Sequence, residues 1–154
     1  KNKKNLGLPA SLNKGINFSQ GNFIVRVDSD DYVNSNFLAA LWLYLDIYKD
    51  ISAVACDYIL IDKFEKTLEV VSSKDNPIAC GIMFRKDKLI DIGLYNKSFK
   101  FNEEKELMLR FKKKYQLHNL NLPLYRYRKH ENNMTNNLSE MEKYENLLKE
   151  IDKN

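Results

Sequence analysis

The sequence has little of what would place it in several special classes of protein. Among 154 residues there are five glycines, three prolines and two cysteines. So few glycines and prolines, beside a hydrophobic fraction of 44%, argue against a disordered or low-complexity chain. No apolar run approaches the ~20 residues that a membrane-spanning helix needs. The basic residues at the start are not followed by the apolar segment of a secretory signal peptide.

The two cysteines do not indicate a disulfide or a metal centre. Cys56 and Cys80 lie in the apolar segments AVACDYILI and PIACGIMF. Such surroundings favour buried, reduced thiols, and nothing in the sequence indicates export. No histidines stand at the spacing of a zinc site. A cytoplasmic setting therefore fits best.

The charge pattern names no partner by itself. The net charge is +4, from 25 basic and 21 acidic side chains. Lysines at residues 112–114 indicate a solvated helix face. A second basic cluster at residues 126–130 lies beside two tyrosines. No nucleic-acid-binding motif accompanies either cluster, so nucleic acid is not an expected partner.

Apolar spacing predicts alternating strands and helices. Strands are predicted over residues 23–27, 53–61, 68–71, 78–84 and 120–127. Helices are predicted over residues 10–19 and 87–92, after a cap at Asn34 or Ser35, from Asn102 or Glu103, and from a capping box at Ser139 and Glu142. There are no internal repeats. This alternation predicts an α/β fold.

An acidic cluster directly after the first predicted strand is the strongest chemical signal. Asp28, Asp30 and Asp31 lie within four residues, and ligand sites of open α/β sheets lie at the carboxyl ends of strands. Like charges ~4 Å apart repel by ~1 kcal/mol in water and ~4 kcal/mol at an effective dielectric of ~20. A divalent cation with oxygen ligands would relieve this repulsion and could bridge to a diphosphate.

The acidic cluster also permits a purely structural interpretation. In that case Asp28 and Ser29 form a turn that caps the following helix, and no ligand is involved. An EF-hand loop is excluded, because the run lacks glycine at its sixth position and glutamate at its twelfth.

Three runs in the first part of the chain resemble the family-2 glycosyltransferases, which share the GT-A fold. They are NLGLPASLNKGI at residues 5–16, GNFI at 21–24 and DSDD at 28–31, in the family's order and spacing. The last run matches the Asp-x-Asp motif of the family.

The resemblance continues downstream and covers residues 5–135. GIMFR at residues 81–85 and IGLY at 92–95 resemble the acceptor-side strand and the turn after it. EEKELMLR at 103–110 resembles the helix start E-D-x-x-L-x-x-R. YRYRKH at 125–130, followed by Asn-Met-Thr at 133–135, resembles the closing Y-R-x-H segment.

The resemblance implies roles for particular residues. Asp28 and Asp30 would contact the nucleotide ribose or diphosphate and a divalent cation, Mn²⁺ or Mg²⁺. Asp31 and His130 would be further metal ligands. Arg110 and Arg128 would pair with phosphate or fix the carboxylates.

Glu104 matches the general base that takes the proton from the acceptor hydroxyl, which implies inversion at the anomeric carbon. The family usually has Asp there, and a displacement of ~1 Å can cost about a hundredfold in rate. Glu103 is the alternative base. The structural alternative for both is a favourable interaction of acidic residues with the helix dipole.

The expected architecture is an incomplete GT-A fold, Rossmann-like, with a mixed central sheet flanked by helices. Residues 1–135 would be the C-terminal two-thirds of the domain, and residues 136–154 a terminal helix packed on it or extending from it. The family's opening strand-helix-strand unit is missing from this sequence. Either the sequence is then a fragment, or a second copy or another chain would cover the exposed sheet edge.

The implied substrates are a nucleotide-diphosphate sugar, with UDP the favoured nucleotide, and a saccharide or glycolipid acceptor. Surface polysaccharide or glycoconjugate synthesis is the expected role, at the inner face of a membrane if the enzyme associates with one. Two rival functions stand beside this one. The first is a non-catalytic remnant that binds carbohydrate or a partner. The second is a phosphatase-like hydrolase with Asp28 as nucleophile and Asp30 as acid/base, although Tyr32 stands where that class has Thr or Val.

Overall fold

A six-stranded mixed sheet flanked by helices organises the protein, and the predicted α/β class is confirmed. The computed structural model describes residues 2–131, 133 and 136–152. The strands are β1 (Phe23–Val25), β2 (Tyr32–Val33), β3 (Ala53–Ile61), β4 (Thr67–Val71), β5 (Ile82–Arg85) and β6 (Leu117–Arg128). The helices are α1 (Leu8–Phe18), α2 (Phe37–Ile47), α3 (Lys86–Asp91), α4 (Glu103–Lys114) and α5 (Leu138–Asp152).

Strand β3 is the centre of the sheet. It pairs in parallel with β6 along its whole length. Its first half pairs antiparallel with β5 and its second half antiparallel with β4. Strand β1 joins antiparallel to β5, and β2 joins antiparallel to β6. Strands β1, β3 and β6 therefore run in the same direction, so the acidic loop after β1 and the end of β6 meet at one edge of the sheet.

The side chains of β3 alternate between two buried layers, as the two-residue period of a strand requires. Val54 and Cys56 face the core under α2, while Ala53 and Ala55 face the core under α1, α3 and α4. Because both faces are covered, β3 is an almost continuous apolar run. This explains why its predicted bounds are correct.

Two predicted helix caps differ from those in the structure. Asn36, and not Asn34 or Ser35, precedes α2. The capping box predicted at Ser139 is wrong, because Ser139 is already the second residue of α5. The Oδ1 atom of Asn137 accepts hydrogen bonds from the Glu140 amide at 3.4 Å and the Ser139 hydroxyl at 3.1 Å. A better-placed asparagine upstream takes the role of the serine, since both residue types are good caps.

The terminal helix α5 packs against α4. Tyr144 and Leu148 bury their side chains against Phe99 in a small separate core. Lys105 of α4 and Glu145 of α5 form an ion pair at 2.8 Å. These contacts fix α5 beside α4. Among the described residues, no helix combines the length and the apolar character needed to cross a bilayer.

Candidate active site

A cleft of about 460 Å³ opens at the edge of the sheet where β1 ends. The loop after β1, the segment before β5, the start of α4 and the first turn of α5 enclose it. Five carboxylates line the cleft: Asp28, Asp30, Asp31, Glu103 and Glu104. The fold thus brings together the two acidic groups, which lie more than 70 residues apart in the chain.

Arg26 connects these two groups. Its Nε and Nη2 atoms donate to the two oxygens of Asp28 at 2.7 and 2.9 Å, and its Nη1 atom donates to Glu103 at 3.0 Å. Burial opposes the charge of the guanidinium, yet the hydrogen bond to Asp28 and the charges of Asp28 and Glu103 raise the pKa of Arg26 above its usual value. A permanent cation therefore sits between the acidic loop and α4.

Asp31 anchors the acidic loop to the sheet. One of its oxygens accepts a hydrogen bond from the Tyr125 hydroxyl at 2.7 Å, and the other accepts one from the Arg128 amide at 2.8 Å. The Tyr125 hydroxyl also accepts from the Asp28 amide at 3.2 Å. Burial raises the pKa of the Asp31 carboxyl despite these bonds. Both oxygens of Asp31 are thus used within the protein.

Asp30 lies on the open side of the loop. Its Oδ2 atom is 2.8 Å from the Nε2 atom of His130, and this contact lowers the pKa of the Asp30 carboxyl. The His130 amide donates to the Oδ1 atom of Asn133. Met134 and Thr135, which complete the motif that resembles the family's closing segment, lie outside the described residues. Asp30 lines the cleft and forms an oxygen–nitrogen pair with His130.

The two arginines predicted to pair with phosphate or carboxylates are in different places. Arg128 supports the acidic loop, because its Nε donates to the Asp30 carbonyl at 2.9 Å. Arg110 is bound elsewhere. Its Nε and Nη2 atoms donate to the Glu106 carboxylate at 2.7 and 2.6 Å. The same guanidinium donates to the carbonyls of Ile92 and Leu94. The structure does not place Arg110 on the cleft.

Glu104 differs from the other carboxylates of the cleft. Glu103 is buried and bound by Arg26, whereas the Glu104 carboxylate accepts no hydrogen bond from another of the described residues. Burial, followed by the negative charge of Glu103, raises the pKa of Glu104 to about 7. A carboxyl that titrates near neutral pH can accept a proton from a bound hydroxyl.

The described residues contain one group that could hold a metal by geometry alone, formed by Asp28, Asp31 and Cys80, whose ligand atoms lie within 4.8 Å of one another. This group fits a cation poorly. Arg26 occupies both oxygens of Asp28, and Asp31 has partners on both of its oxygens. Burial raises the pKa of Cys80 to about 12, so its thiol keeps its proton.

Gly81 has a left-handed backbone next to Tyr125. Its φ of +77° is in the left-handed region, and a Cβ atom there would lie 3.4 Å from the Cys56 sulfur and 3.6 Å from the Tyr125 Cβ. Glycine adopts this conformation without penalty.

Sequence reasoning missed Arg26, Tyr125 and Asn102 as residues of the site. A signal existed for Arg26, since it is the one charge within the apolar run FIVRV directly before the acidic cluster. No local signal distinguishes Tyr125 from the other tyrosines. For Asn102 the sequence pattern indicates only a helix start.

Comparisons with known proteins agree with this geometry. Residues 1–125 match the Glycosyl transferase family 2 model. Crystal structures of S. aureus TarS 1-349 show the same fold. The complex with UDP has a TM-score of 0.67 at 16% identity, and the match covers 83% of this chain and 42% of that chain. The complex with UDP-GlcNAc has a TM-score of 0.65 at 17% identity, with 85% and 41% covered. No curated protein matches the sequence significantly.

The chain belongs to glycosyltransferase family 2. Its mixed sheet and flanking helices are those of the GT-A glycosyltransferases, as the resemblance implied. It spans less than half the length of the TarS chains that it matches.

Proposed function

We propose that this chain carries the metal-binding and acceptor-binding part of an inverting glycosyltransferase. The reaction would transfer a sugar from a nucleotide-diphosphate sugar to a saccharide or glycolipid hydroxyl, in surface polysaccharide or glycoconjugate synthesis. The observation that carries this proposal is that one cleft is lined both by Glu104, a carboxylate whose pKa is raised to about 7, and by Asp30, whose carboxylate is paired with His130.

A UDP-sugar is the proposed donor. Two structurally similar TarS crystal structures contain UDP and UDP-GlcNAc. Their low identity to this chain leaves the sugar open. The donor diphosphate would lie beside Asp30. Both the diphosphate and the acidic loop are negatively charged, so a divalent cation would have to lie between them.

Asp30 and His130 would hold this cation, with diphosphate oxygens and water completing its coordination. Mg²⁺ and Mn²⁺ are bound by few protein groups together with phosphates, which suits a pair of ligands. When bound, the cation supplies stabilisation of the negative charge that develops on the departing diphosphate. Asp31 holds the loop in place through Tyr125 and Arg128, and we assign it no contact with the cation.

Glu104 would act on the acceptor. Its carboxylate takes the proton of the acceptor hydroxyl while that oxygen forms a bond to the anomeric carbon. The bond from this carbon to the diphosphate oxygen breaks, and the nucleoside diphosphate leaves with the electron pair. Attack on the face opposite the leaving group inverts the configuration at the anomeric carbon. Its pKa near 7 suits a general base at neutral pH.

A phosphatase-like hydrolase is disfavoured by the geometry. Its nucleophile would be Asp28, but both oxygens of Asp28 accept hydrogen bonds from the buried Arg26. A carboxylate held in this way is a poor nucleophile, because attack would require it to leave a charge-assisted bidentate pair.

Calorimetric titration of the chain with UDP, with and without Mn²⁺, tests the metal site. We expect UDP to bind only with Mn²⁺ and Asp30→Ala to abolish this binding. Asp46→Ala is the matched control, since Asp46 lies on α2 and pairs with Lys49 at the surface, away from the cleft. Equal binding by wild type and Asp30→Ala would contradict the proposed role of Asp30.

A second experiment tests the role of Glu104 as the general base. Glu104→Gln should bind UDP and Mn²⁺ like the wild type, because the base faces the acceptor, while sugar transfer falls by a factor of about 10²–10⁴. A non-catalytic remnant would show no transfer in either protein and no effect of this substitution on its biological activity.

A further inference from the structure

Asn102, at the entrance to α4, has a buried oxygen without a partner. The residue is 2% exposed, and its Nδ2 atom donates to the Met141 carbonyl at 3.2 Å. Within the described part of the chain, its Oδ1 atom accepts no hydrogen bond. Asn102 also has a left-handed backbone, with φ of 54° and ψ of 28°.

Both features cost stability. A buried acceptor without a hydrogen bond loses its interaction with water and gains no replacement. A left-handed conformation is unfavourable outside glycine, although less so for asparagine. Unsatisfied groups and strained backbone tend to occur together at functional sites, where a ligand supplies the missing partner.

The neighbours of Asn102 in the cleft indicate the chemical class of this ligand. It directly precedes Glu103 and Glu104, and its neighbours at the cleft wall are Phe101 and Met141. The ring of Phe101 packs against Tyr144 of α5 at a centroid distance of 5.8 Å, and this contact holds the ring in place. An oxygen acceptor beside an aromatic ring and an apolar side chain suits a molecule with hydroxyl donors on one edge and C–H groups on its face.

We infer that Phe101, Asn102 and Met141 form a subsite for the sugar ring of the acceptor, and that Asn102 Oδ1 accepts a hydrogen bond from one of its hydroxyls. The inference rests on the proposed function, in which Glu104 faces the acceptor. The neighbouring hydroxyl of the same ring is then presented to Glu104. Asn102 is a specificity-determining residue, since an acceptor that lacks this hydroxyl leaves the amide oxygen unpaired.

The chemistry of the subsite narrows the class of acceptor. An amide oxygen accepts hydrogen bonds and repels anionic oxygens. Two carboxylates follow it in the chain, Glu103 and Glu104, so a phosphate or carboxylate at this position would be disfavoured. A neutral pyranoside with free hydroxyls fits, and a polyol phosphate does not.

The test uses the full chain and a panel of methyl pyranosides, with binding followed by ligand-observed NMR. Asn102→Gly removes the side chain and tolerates the left-handed backbone. Asn102→Asp keeps an oxygen at the same position. We expect one or more glycosides to bind with millimolar affinity, Asn102→Gly to weaken that binding about fivefold to tenfold, and Asn102→Asp to restore at least part of it.

Asn13→Ala is the matched control. Asn13 is also a buried asparagine, but both of its side-chain groups are satisfied by the backbone of Tyr95, at 2.8 and 2.9 Å. Its substitution should lower the melting temperature and leave glycoside binding per folded molecule unchanged. An equal loss of binding in Asn13→Ala and Asn102→Gly would indicate a general structural effect and overturn the inference.

A series of monodeoxy glycosides identifies the hydroxyl. One deoxy sugar should bind the wild type as weakly as the parent sugar binds Asn102→Gly, and the two changes together should cause no further loss. Additive losses for every deoxy position would overturn the inference, as would the absence of any Asn102-dependent glycoside binding.

The two proposals fail in different ways. If UDP binds with Mn²⁺ but glycosides do not depend on Asn102, the subsite is wrong and the donor site stands. If glycosides depend on Asn102 but UDP does not bind, the subsite stands and the proposed metal-dependent donor site is wrong.

Discussion

The guanidinium of Arg26 donates to the carboxylate of Glu103 over 3.0 Å and so joins the loop after β1 to the first turn of α4. Their side chains are 14% and 6% exposed. The same guanidinium binds both oxygens of Asp28. One buried cation therefore balances two carboxylates, one from each acidic group, whereas Glu104 forms no ion pair with another of the described residues.

Removing Arg26 should be strongly destabilising. Arg26→Ala leaves Asp28 and Glu103 without their cation, and breaking a buried ion pair from one side typically costs about 3–5 kcal/mol. Urea unfolding measures the change. Arg126→Ala is the control, because Arg126 stacks on the Tyr32 ring at the surface and its loss should cost less than about 1 kcal/mol. Equal effects of the two substitutions would contradict the role assigned to Arg26.

Glu104→Gln should stabilise the fold at high pH. The pKa of Glu104 is raised to about 7 in the folded protein from an ordinary value of 4.5. The folded state therefore holds the proton more tightly, and wild-type stability falls as pH rises from about 4.5 to 7. Glutamine avoids this loss. The gain should be near zero at acidic pH and reach about 1–3 kcal/mol at pH 8, measured by urea unfolding across pH.

Glu145→Gln is the control of opposite sign. The ion pair with Lys105 lowers the pKa of Glu145, so its contribution is present at neutral pH and is lost as pH falls through the lowered value. This substitution should slightly destabilise the protein at pH 8. If Glu104→Gln destabilises there as well, the assignment of Glu104 as an unneutralised carboxylate is wrong.

Gly81→Ala should destabilise the fold through its backbone. The left-handed conformation costs alanine about 1–2 kcal/mol, whereas its Cβ would meet Cys56 and Tyr125 only at ordinary contact distances. Gly15→Ala makes the same chemical change inside α1, where nothing lies within 4 Å. It should stabilise by about 0.5–1 kcal/mol. Melting curves of the pair separate backbone strain from the general effect of adding a methyl group.

Tyr125→Phe should loosen the acidic loop while keeping the core packed. The hydroxyl holds both Asp31 and the Asp28 amide, so its loss should cost about 1–3 kcal/mol and weaken Mn²⁺-dependent UDP binding. Tyr58→Phe, at a buried tyrosine of the same core that is not on the cleft, should leave UDP binding unchanged. Unchanged binding in Tyr125→Phe would show that the loop does not need this anchor.

The sequence predicts well what depends on local pattern. The bounds of β3 follow from a long apolar run, and the acidic cluster and Glu104 are recognisable because motifs keep their spacing along the chain. The residues that pair with these carboxylates could not be predicted from local pattern. Arg26 meets Glu103, and Tyr125 meets Asp31, only because β1, β5, β3 and β6 align in one sheet. Pairings between distant segments leave no periodic signal.

The same limit explains the residues whose predicted roles differ from their positions in the fold. Arg110 carries the expected charge at the expected spacing, but Glu106 lies one helical turn before it and takes the guanidinium. Asp31 shares the acidic character of its neighbours and was predicted as a metal ligand, whereas the strand that follows directs it toward Tyr125. In both cases a partner from the fold competes with the ligand, and only the three-dimensional structure identifies that partner.

The internal cation at Arg26 has a consequence for how a donor would be recognised. Because the loop after β1 is already held by Arg26, Tyr125 and the Arg128 amide, it does not need a ligand in order to adopt its shape. Binding then costs little ordering of the chain. If the proposed cation binds at Asp30, its removal by a chelator should therefore leave the loop and the fold in place.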